Sequence, residues 1–173
     1  MKRYILTLII AVFALMQAAA QTFDNLWKQA DIIARKDQPR SEIGVMKKII
    51  SKASAAKDYG QLMAAEMRQM ILWKEISADS LMPNVKRMEA EVLKVKDPAL
   101  KAVRYAVLGK VYSDMDEKKS EEFFKKALQQ PELLAKHTST EYIPLTLKGV
   151  DGSSFNNDLL HLIGFEADSK EAY

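Results

Sequence analysis

The stretch LGKVYSDMDEKKSEEFFKKALQQP, residues 108–131, decides the fold of this chain. On both sides of its charged middle, apolar residues recur at intervals of three and four, the spacing that places side chains on one face of an α-helix. Pro131 follows the second apolar group, where a helix would be expected to end. The stretch therefore predicts two helices, one ending near Val111 and one over residues 121–130, joined by a short turn.

The order of small and large residues in this pair resembles a tetratricopeptide (TPR) unit. The matching positions are Leu108-Gly109-x-x-Tyr112, Ser120-x-x-x-Phe124-x-x-Ala127-Leu128 and Pro131, with about one residue fewer between the helices than the consensus has. In such a unit the small residues Gly109 and Ser120 let two helices approach closely. The equivalent leucines elsewhere, Leu26 and Leu62, are unevenly spaced, so we expect a degenerate TPR-like array and not a regular solenoid.

Four more helices are predicted before this pair, each with an apolar stripe at helical spacing and a start signal. They are a helix capped by Thr22, a helix from Pro39, a helix over about residues 59–76 opened by an Asp58-x-x-Gln61 capping box, and a helix that starts near Ser80 and is stopped by Asp97-Pro98. The same Asp97-Pro98 dipeptide caps the helix that ends near Val111. Short turns between them predict antiparallel hairpins. The prediction is thus an all-α domain over residues 21–135, with its hairpins stacked in a TPR-like array.

The pattern changes after Pro131. Residues 142–150 alternate around Ile143, Leu145 and Leu147, which predicts a short extended segment. A small helix is predicted over residues 157–163, ending at Gly164. Residues 136–173 are therefore expected to form an irregular or extended C-terminal segment with one short helix.

Residues 1–20 predict export. Lys2 and Arg3 precede an apolar run too short to span a bilayer comfortably, and Ala18-Ala19-Ala20 before Gln21 matches a signal-peptidase site. We expect cleavage between Ala20 and Gln21, which gives a periplasmic or secreted protein. The alternative is an uncleaved N-terminal anchor or a buried helix.

Composition excludes several classes of function. The chain has no cysteine, which excludes disulfides, thiolate metal ligands and a cysteine nucleophile, and Gln21 stands where a lipoprotein would carry its acylated cysteine. Without Lys2 and Arg3, 24 basic side chains face 23 acidic ones, so we expect no nucleic-acid or anionic-membrane partner. No segment after Gln21 is apolar for long enough to span a membrane.

Candidate catalytic and metal-binding groups are sparse. Asp158 and His161 lie three residues apart on the last predicted helix and could face one ion, but no third ligand is near, and His137 lies in a polar turn. Phosphate-binding glycine loops, nucleophile elbows and H-E-x-x-H motifs do not occur. We therefore expect no catalytic residue, no metal site and no cofactor.

Two features of the middle of the chain fit both a structural and a functional role. Met63, Met67 and Met70 form a stripe that suits either core filling or an adaptable binding groove. Asp79-Ser80-Leu81 resembles the short acceptor tripeptide that some Gram-negative bacteria O-glycosylate in the periplasm. Ser80 is therefore a candidate modification site, and it is equally explained as a helix cap.

Two groups of motifs, one near each end of the mature chain, are specific through their order. The first group is Leu26-Trp27-Lys28, Lys36-Asp37-x-Pro39-x-Ser41, Lys52-Ala53 and Tyr59-Gly60-Gln61-Leu62. The second group is Phe124-x-x-Ala127-Leu128, Pro131-Glu132-Leu133-Leu134, Tyr142-x-Pro144-Leu145 and Asn157-Asp158-Leu159-Leu160-His161-Leu162-Ile163-Gly164. Together they resemble the helical N-terminal region of the large bacterial alpha-2-macroglobulin-family proteins, over nearly the whole mature chain.

This resemblance implies part of a periplasmic protease trap, in which the helical region precedes beta-sandwich domains. The chain lacks the family's Cys-x-Glu-Gln thioester loop, its bait region and its sandwich strands, so we expect a truncated or isolated N-terminal part. The expected function is a non-enzymatic, exported interaction module, with proteases as partners through the family architecture. The alternative is a stand-alone TPR-like periplasmic scaffold that binds a peptide or protein partner.

Overall fold

The computed structural model describes residues 22–146 and 157–168, which are helical almost throughout and contain no strand. The helices, numbered in chain order, are α1 (Phe23–Ala34), α2 (Pro39–Ala56), α3 (Tyr59–Ile76), α4 (Ala78–Val92), α5 (Pro98–Tyr112), α6 (Glu117–Ala127), α7 (Pro131–Leu134) and α8 (Leu159–Asp168). A 3-10 helix, Ser139–Tyr142, lies between α7 and α8. The all-α prediction is confirmed for these residues, while the predicted cleavage site at Ala20 and Gln21 lies outside them.

Local start signals explain why α1, α2, α3 and α5 begin where the sequence predicts. The side chains of Thr22, Asp58 and Asp97 accept hydrogen bonds from the backbone N–H of Asn25 (3.3 Å), Gln61 (3.1 Å) and Leu100 (2.8 Å). Each bond satisfies one of the N–H groups that the first turn of a helix leaves unpaired. Pro39 and Pro98 occupy first-turn positions, where a missing N–H costs nothing.

One predicted helix start is wrong, and so is one predicted cap. Helix α6 begins at Glu117, four residues earlier than residues 121–130 suggested, because Asp116 accepts a hydrogen bond from the N–H of Lys119 at 3.1 Å. Helix α4 begins at Ala78, with Ser77 in the N-cap position. Ser80 therefore lies inside the first turn and is not the cap, and its carbonyl accepts a hydrogen bond from Asn84 Nδ2 at 2.8 Å.

The segment after α7 is not extended where the structure describes it. Glu141 accepts from the N–H of Thr138 at 2.9 Å, which starts the 3-10 helix, and residues 143–146 form turns. Tyr142 is buried, and its backbone packs so closely on α3 that a Cβ at Gly60 would overlap the Ile143 carbonyl. The prediction for residues 142–146 is therefore wrong, and residues 147–150 lie outside the described part.

The last helix is longer than predicted. Helix α8 continues to Asp168, so Gly164 lies in its middle and does not end it. No described glycine has a positive φ, so Gly164 does not adopt the left-handed conformation with which a glycine ends a helix. An isolated antiparallel bridge between Thr138 and Asp158 connects the start of α8 to the 3-10 helix.

Two apolar clusters hold the helices together, and α3 contributes to both. Leu72 and Ala65 of α3 pack with α1 and α2, while Met63 and Met70 pack with α4 to α8. Consecutive helices from α1 to α6 pack against each other along the chain. Helix α3 therefore lies between the two clusters and fixes their relative position.

The close crossing predicted for α5 and α6 is present. Ser120 Oγ donates a hydrogen bond to the carbonyl oxygen of Gly109 at 2.5 Å. The Phe124 ring lies where a side chain at position 109 would stand, with Cδ2 2.7 Å from an ideal Cβ. Glycine at 109 and serine at 120 thus allow the two backbones to approach.

Candidate interaction groove

Two ion pairs connect α3 to α2 and to α5. Glu42 of α2 accepts from Arg68 Nε at 2.8 Å, and Glu66 accepts from Arg104 Nη2 of α5 at 2.7 Å. Arg104 Nη1 also lies 3.6 Å from Glu91 of α4, so three helices meet at this guanidinium. Burial raises the pKa of Glu66, and Arg104 opposes that rise. This buried pair joins α3 directly to α5.

An open groove of about 630 Å³ lies between α3 and the C-terminal end of α5. The α3 wall consists of Met67, Met70, Ile71 and Lys74, which share one helix face. The opposite wall consists of the end of α5 and the turn into α6, and Leu81 of α4 also lines the groove.

The groove leaves large apolar side chains in contact with water. Ile71 is 43% exposed and Met115 is 40% exposed, on opposite walls. Met67 is half-buried and Met70 is nearly fully buried below them. Clustered exposed apolar side chains are typical of surfaces that bind a partner. Met63 is fully buried and belongs to the core, so the predicted methionine stripe divides between core and groove.

Charged side chains stand on both walls. Lys74 lies on α3, while Lys110, Asp114 and Glu117 lie on the α5–α6 side. Lys110 Nζ is 2.8 Å from Glu166 of α8, so its charge is compensated. Lys74, Asp114 and Glu117 are exposed and form no ion pair with any residue of 22–146 or 157–168. The groove therefore offers a cation on one wall and carboxylates on the other.

A smaller cavity of about 220 Å³ adjoins the groove beneath α8. Met67 and Lys110 line both spaces, and the rest of this cavity is mainly apolar, including Val107 and Ile163. The Lys110–Glu166 ion pair joins α5 to α8 at this boundary. Helix α8 therefore borders the groove and limits it on one side.

The Asp158–His161 pair noted in the sequence caps the start of α8, and His137 contacts a carboxylate. Asp158 Oδ1 accepts from the backbone N–H of His161 at 2.9 Å and lies 2.8 Å from its Nδ1. Desolvation raises the pKa of Asp158, but the hydrogen bonds from His161 outweigh it and the pKa is lowered. His137 Nδ1 lies 2.9 Å from Glu141 Oε2. Within the described part of the chain, no three His, Asp or Glu side chains are placed to hold a metal ion.

Sequence reasoning missed the groove and the Glu66–Arg104 pair. Glu66 and Arg104 are separated by 38 positions, and nothing in the spacing of either residue indicates that the two side chains meet. The signal for the groove was the methionine stripe, which core filling explains equally well. Ser80 is half-buried in α4, and its O-glycosylation stays a prediction.

Among the helices of the described residues, none combines the length and the apolar character needed to cross a membrane. Comparison of the chain with models of known families, with curated proteins and with solved structures returns no match. The family resemblance inferred from the motifs therefore stays a prediction, and the groove is the feature from which function is argued.

Proposed function

We propose that this chain is a non-enzymatic interaction module that binds a protein or peptide partner in the groove between α3 and α5. The observation that carries the proposal is the pair of exposed apolar walls, with Ile71 at 43% and Met115 at 40% exposure above a methionine-lined interior. Methionine side chains adapt to different apolar partners because they are unbranched and flexible. Burying these walls on binding supplies the driving force for association.

The degenerate TPR-like array is part of the same proposal. Its support is the sequential packing of neighbouring helices and the close Gly109–Ser120 crossing, which is the position where the TPR-like motif has small residues. The predicted leader supplies the cellular context, which is the periplasm or the extracellular medium. Proteases and other exported proteins are the partners expected there.

The module fits two contexts. In the first, it is the N-terminal helical region of an alpha-2-macroglobulin-like protease trap, without the thioester and bait regions. In the second, it is a stand-alone periplasmic scaffold. Sequencing the gene beyond the codon for Tyr173 separates them, since an in-frame continuation into beta-sandwich domains supports the first and a stop codon supports the second.

Site-specific photo-crosslinking in the producing cell tests the groove. A photoreactive amino acid replaces Ile71 or Met115 in the full chain, and the control position is Ile32, which is 54% exposed on α1 outside the groove. We expect one discrete crosslinked product from positions 71 and 115 and none from position 32. Equal products from all three positions, or none from 71 and 115, would contradict the proposed function, as would turnover in a hydrolase screen of the purified protein.

A further inference from the structure

The partner's own secondary structure can be inferred from what the groove walls lack. The α3 wall is a helix face, whose backbone N–H and C=O groups are bonded inside the helix. In the turn that completes the other wall, the Lys110 carbonyl accepts from Ser113 and the Tyr112 carbonyl accepts from Met115 and Asp116, so these carbonyls are not free to bond a strand. The groove therefore presents no backbone edge along which an extended peptide could form a strand.

The lining side chains do not replace such an edge. Among the described residues that line the groove there is no Asn or Gln, and its Lys side chains only donate while its Asp and Glu side chains only accept, whereas a peptide amide needs both a donor and an acceptor. Ser113 Oγ already donates to the Lys110 carbonyl at 2.6 Å. An extended segment laid on Met67, Met70 and Ile71 would lose water from its amides and gain no partner for them. A helix satisfies its own amides, so it can occupy this surface without that penalty.

The shape of the α3 wall fits a helix as well. Met67, Met70, Ile71 and Lys74 repeat at three- and four-residue intervals over about 10 Å, which is two helical turns. Ridges and grooves with this spacing accept the side chains of a second helix packed alongside.

Charge defines the flanks of the partner. Lys74 stands on the α3 wall, and Asp114 and Glu117 stand on the other wall, all three exposed. Lys110 is compensated by Glu166 and adds little to the field of the groove. A helix lying between the walls is attracted when its apolar stripe has acidic residues on one side and basic residues on the other.

We propose that the groove binds an amphipathic α-helix whose apolar stripe is flanked by acidic residues toward Lys74 and by basic residues toward Asp114 and Glu117. The inference rests on the proposed function and names the class of partner at the same site. Reversing the direction of the bound helix exchanges its flanks, so the wall charges also select its direction.

Synthetic helical peptides test the proposal by fluorescence anisotropy with the full chain. All carry the same stripe of Leu and Phe at i, i+3, i+4 and i+7, and they differ in their flanks: one acidic and one basic, both acidic, or both basic. We expect the mixed peptide to bind about three- to five-fold more tightly than either of the others, which is the size of a solvent-exposed charge effect. A fourth peptide with two central prolines, which cannot form the helix, is expected not to bind.

Charge reversal of the protein gives the sharper measurement. Lys74→Glu makes both walls acidic and should move the preference to the peptide with two basic flanks. Asp114→Lys combined with Glu117→Lys makes both walls basic and should move it to the peptide with two acidic flanks. Lys47→Glu is the control for net charge, because Lys47 is exposed on α2 and lies outside the groove, and it should leave the order of affinities unchanged.

The outcomes separate the inference from the proposed function. Ile71→Asp should abolish binding of the mixed peptide, while Ile32→Asp should not. If the proline peptide binds as well as the helical one, or if no peptide binds although position 71 crosslinks in the cell, the partner is not this helix and the proposed function stands. If Lys74→Glu leaves the preference unchanged, the charge assignment is wrong. Absence of both peptide binding and crosslinking overturns both proposals.

Discussion

Replacing Gly109 by alanine tests the close crossing of α5 and α6. An ideal Cβ at position 109 would lie 2.7 Å from Cδ2 and 2.8 Å from Cε2 of Phe124, well inside the ~3.5–4.0 Å at which carbon atoms attract. Phe124 is 3% exposed, so its ring has little room to move. The bond from Ser120 Oγ to the Gly109 carbonyl, 2.5 Å long, also resists separation of the helices. We therefore expect the added methyl group to destabilise the fold.

The magnitude follows from two opposing effects. Overpacking a core costs about 1–3 kcal/mol, whereas alanine in place of glycine inside a helix contributes about 1 kcal/mol of stability. The net loss is therefore up to about 2 kcal/mol, and a chain of this length loses roughly 2–4 °C of Tm per kcal/mol. The expected decrease in Tm is therefore up to about 8 °C, and Gly109→Leu should lower the Tm further.

Thermal unfolding followed by circular dichroism measures this, with Gly44→Ala as the matched control. Gly44 is also inside a helix, but a Cβ there meets no described atom within 4 Å, so Gly44→Ala should stabilise the protein. In the double variant Gly109→Ala, Phe124→Leu the smaller side chain relieves the overlap, and the two changes should cost less together than their sum. If Gly109→Ala raises the Tm as Gly44→Ala does, the Phe124 ring does not lie against position 109.

Three further predictions concern polar groups. Burial raises the pKa of Glu66, so the stabilisation that protonated Glu66 contributes is complete below pH 4.5, its pKa in the unfolded chain, and is lost as pH rises through the folded pKa. In urea titrations, the unfolding free energy of the wild type relative to Glu66→Gln should therefore fall over that pH range. A difference that stays constant with pH contradicts this prediction. Tyr112→Phe removes a 2.5 Å hydrogen bond to the Glu89 carboxylate and should lower the unfolding free energy in urea titrations by about 1.5–3 kcal/mol. Asp158→Ala removes the bond to the first turn of α8 and should cost about 1 kcal/mol, with faster amide exchange in α8 and unchanged exchange in α2.

Helix positions could be predicted from the sequence where the determinant is local. A cap acts within three residues, so Thr22, Asp58 and Asp97 identified their helices directly. Asp116 was missed because several acidic residues precede the apolar run of α6 and each could serve as a helix start. The prediction of an extended segment was wrong because Tyr142 is buried and its backbone packs on α3. The alternation of apolar and polar residues around it carries no information about that packing.

The groove could not be predicted in the same way, because it depends on where α3 and α5 stand after two intervening turns. The Glu66–Arg104 pair contributes to that placement through a contact across 38 residues. Met67 and Ile71 have the same helical spacing whether they face a neighbour or water. Sequence periodicity therefore predicts which residues share this face of α3. Whether the face is buried or exposed to water depends on how the other helices pack.

The position of α3 between the two apolar clusters constrains how the length of this chain can vary. One residue inserted between Met63 and Met70 would rotate the following half of the helix by about 100°. Ile71 would then leave the groove, and Leu72 would leave the cluster with α1 and α2. Insertions and deletions among natural variants should accordingly fall in the turns, such as residues 35–38, and spare α3.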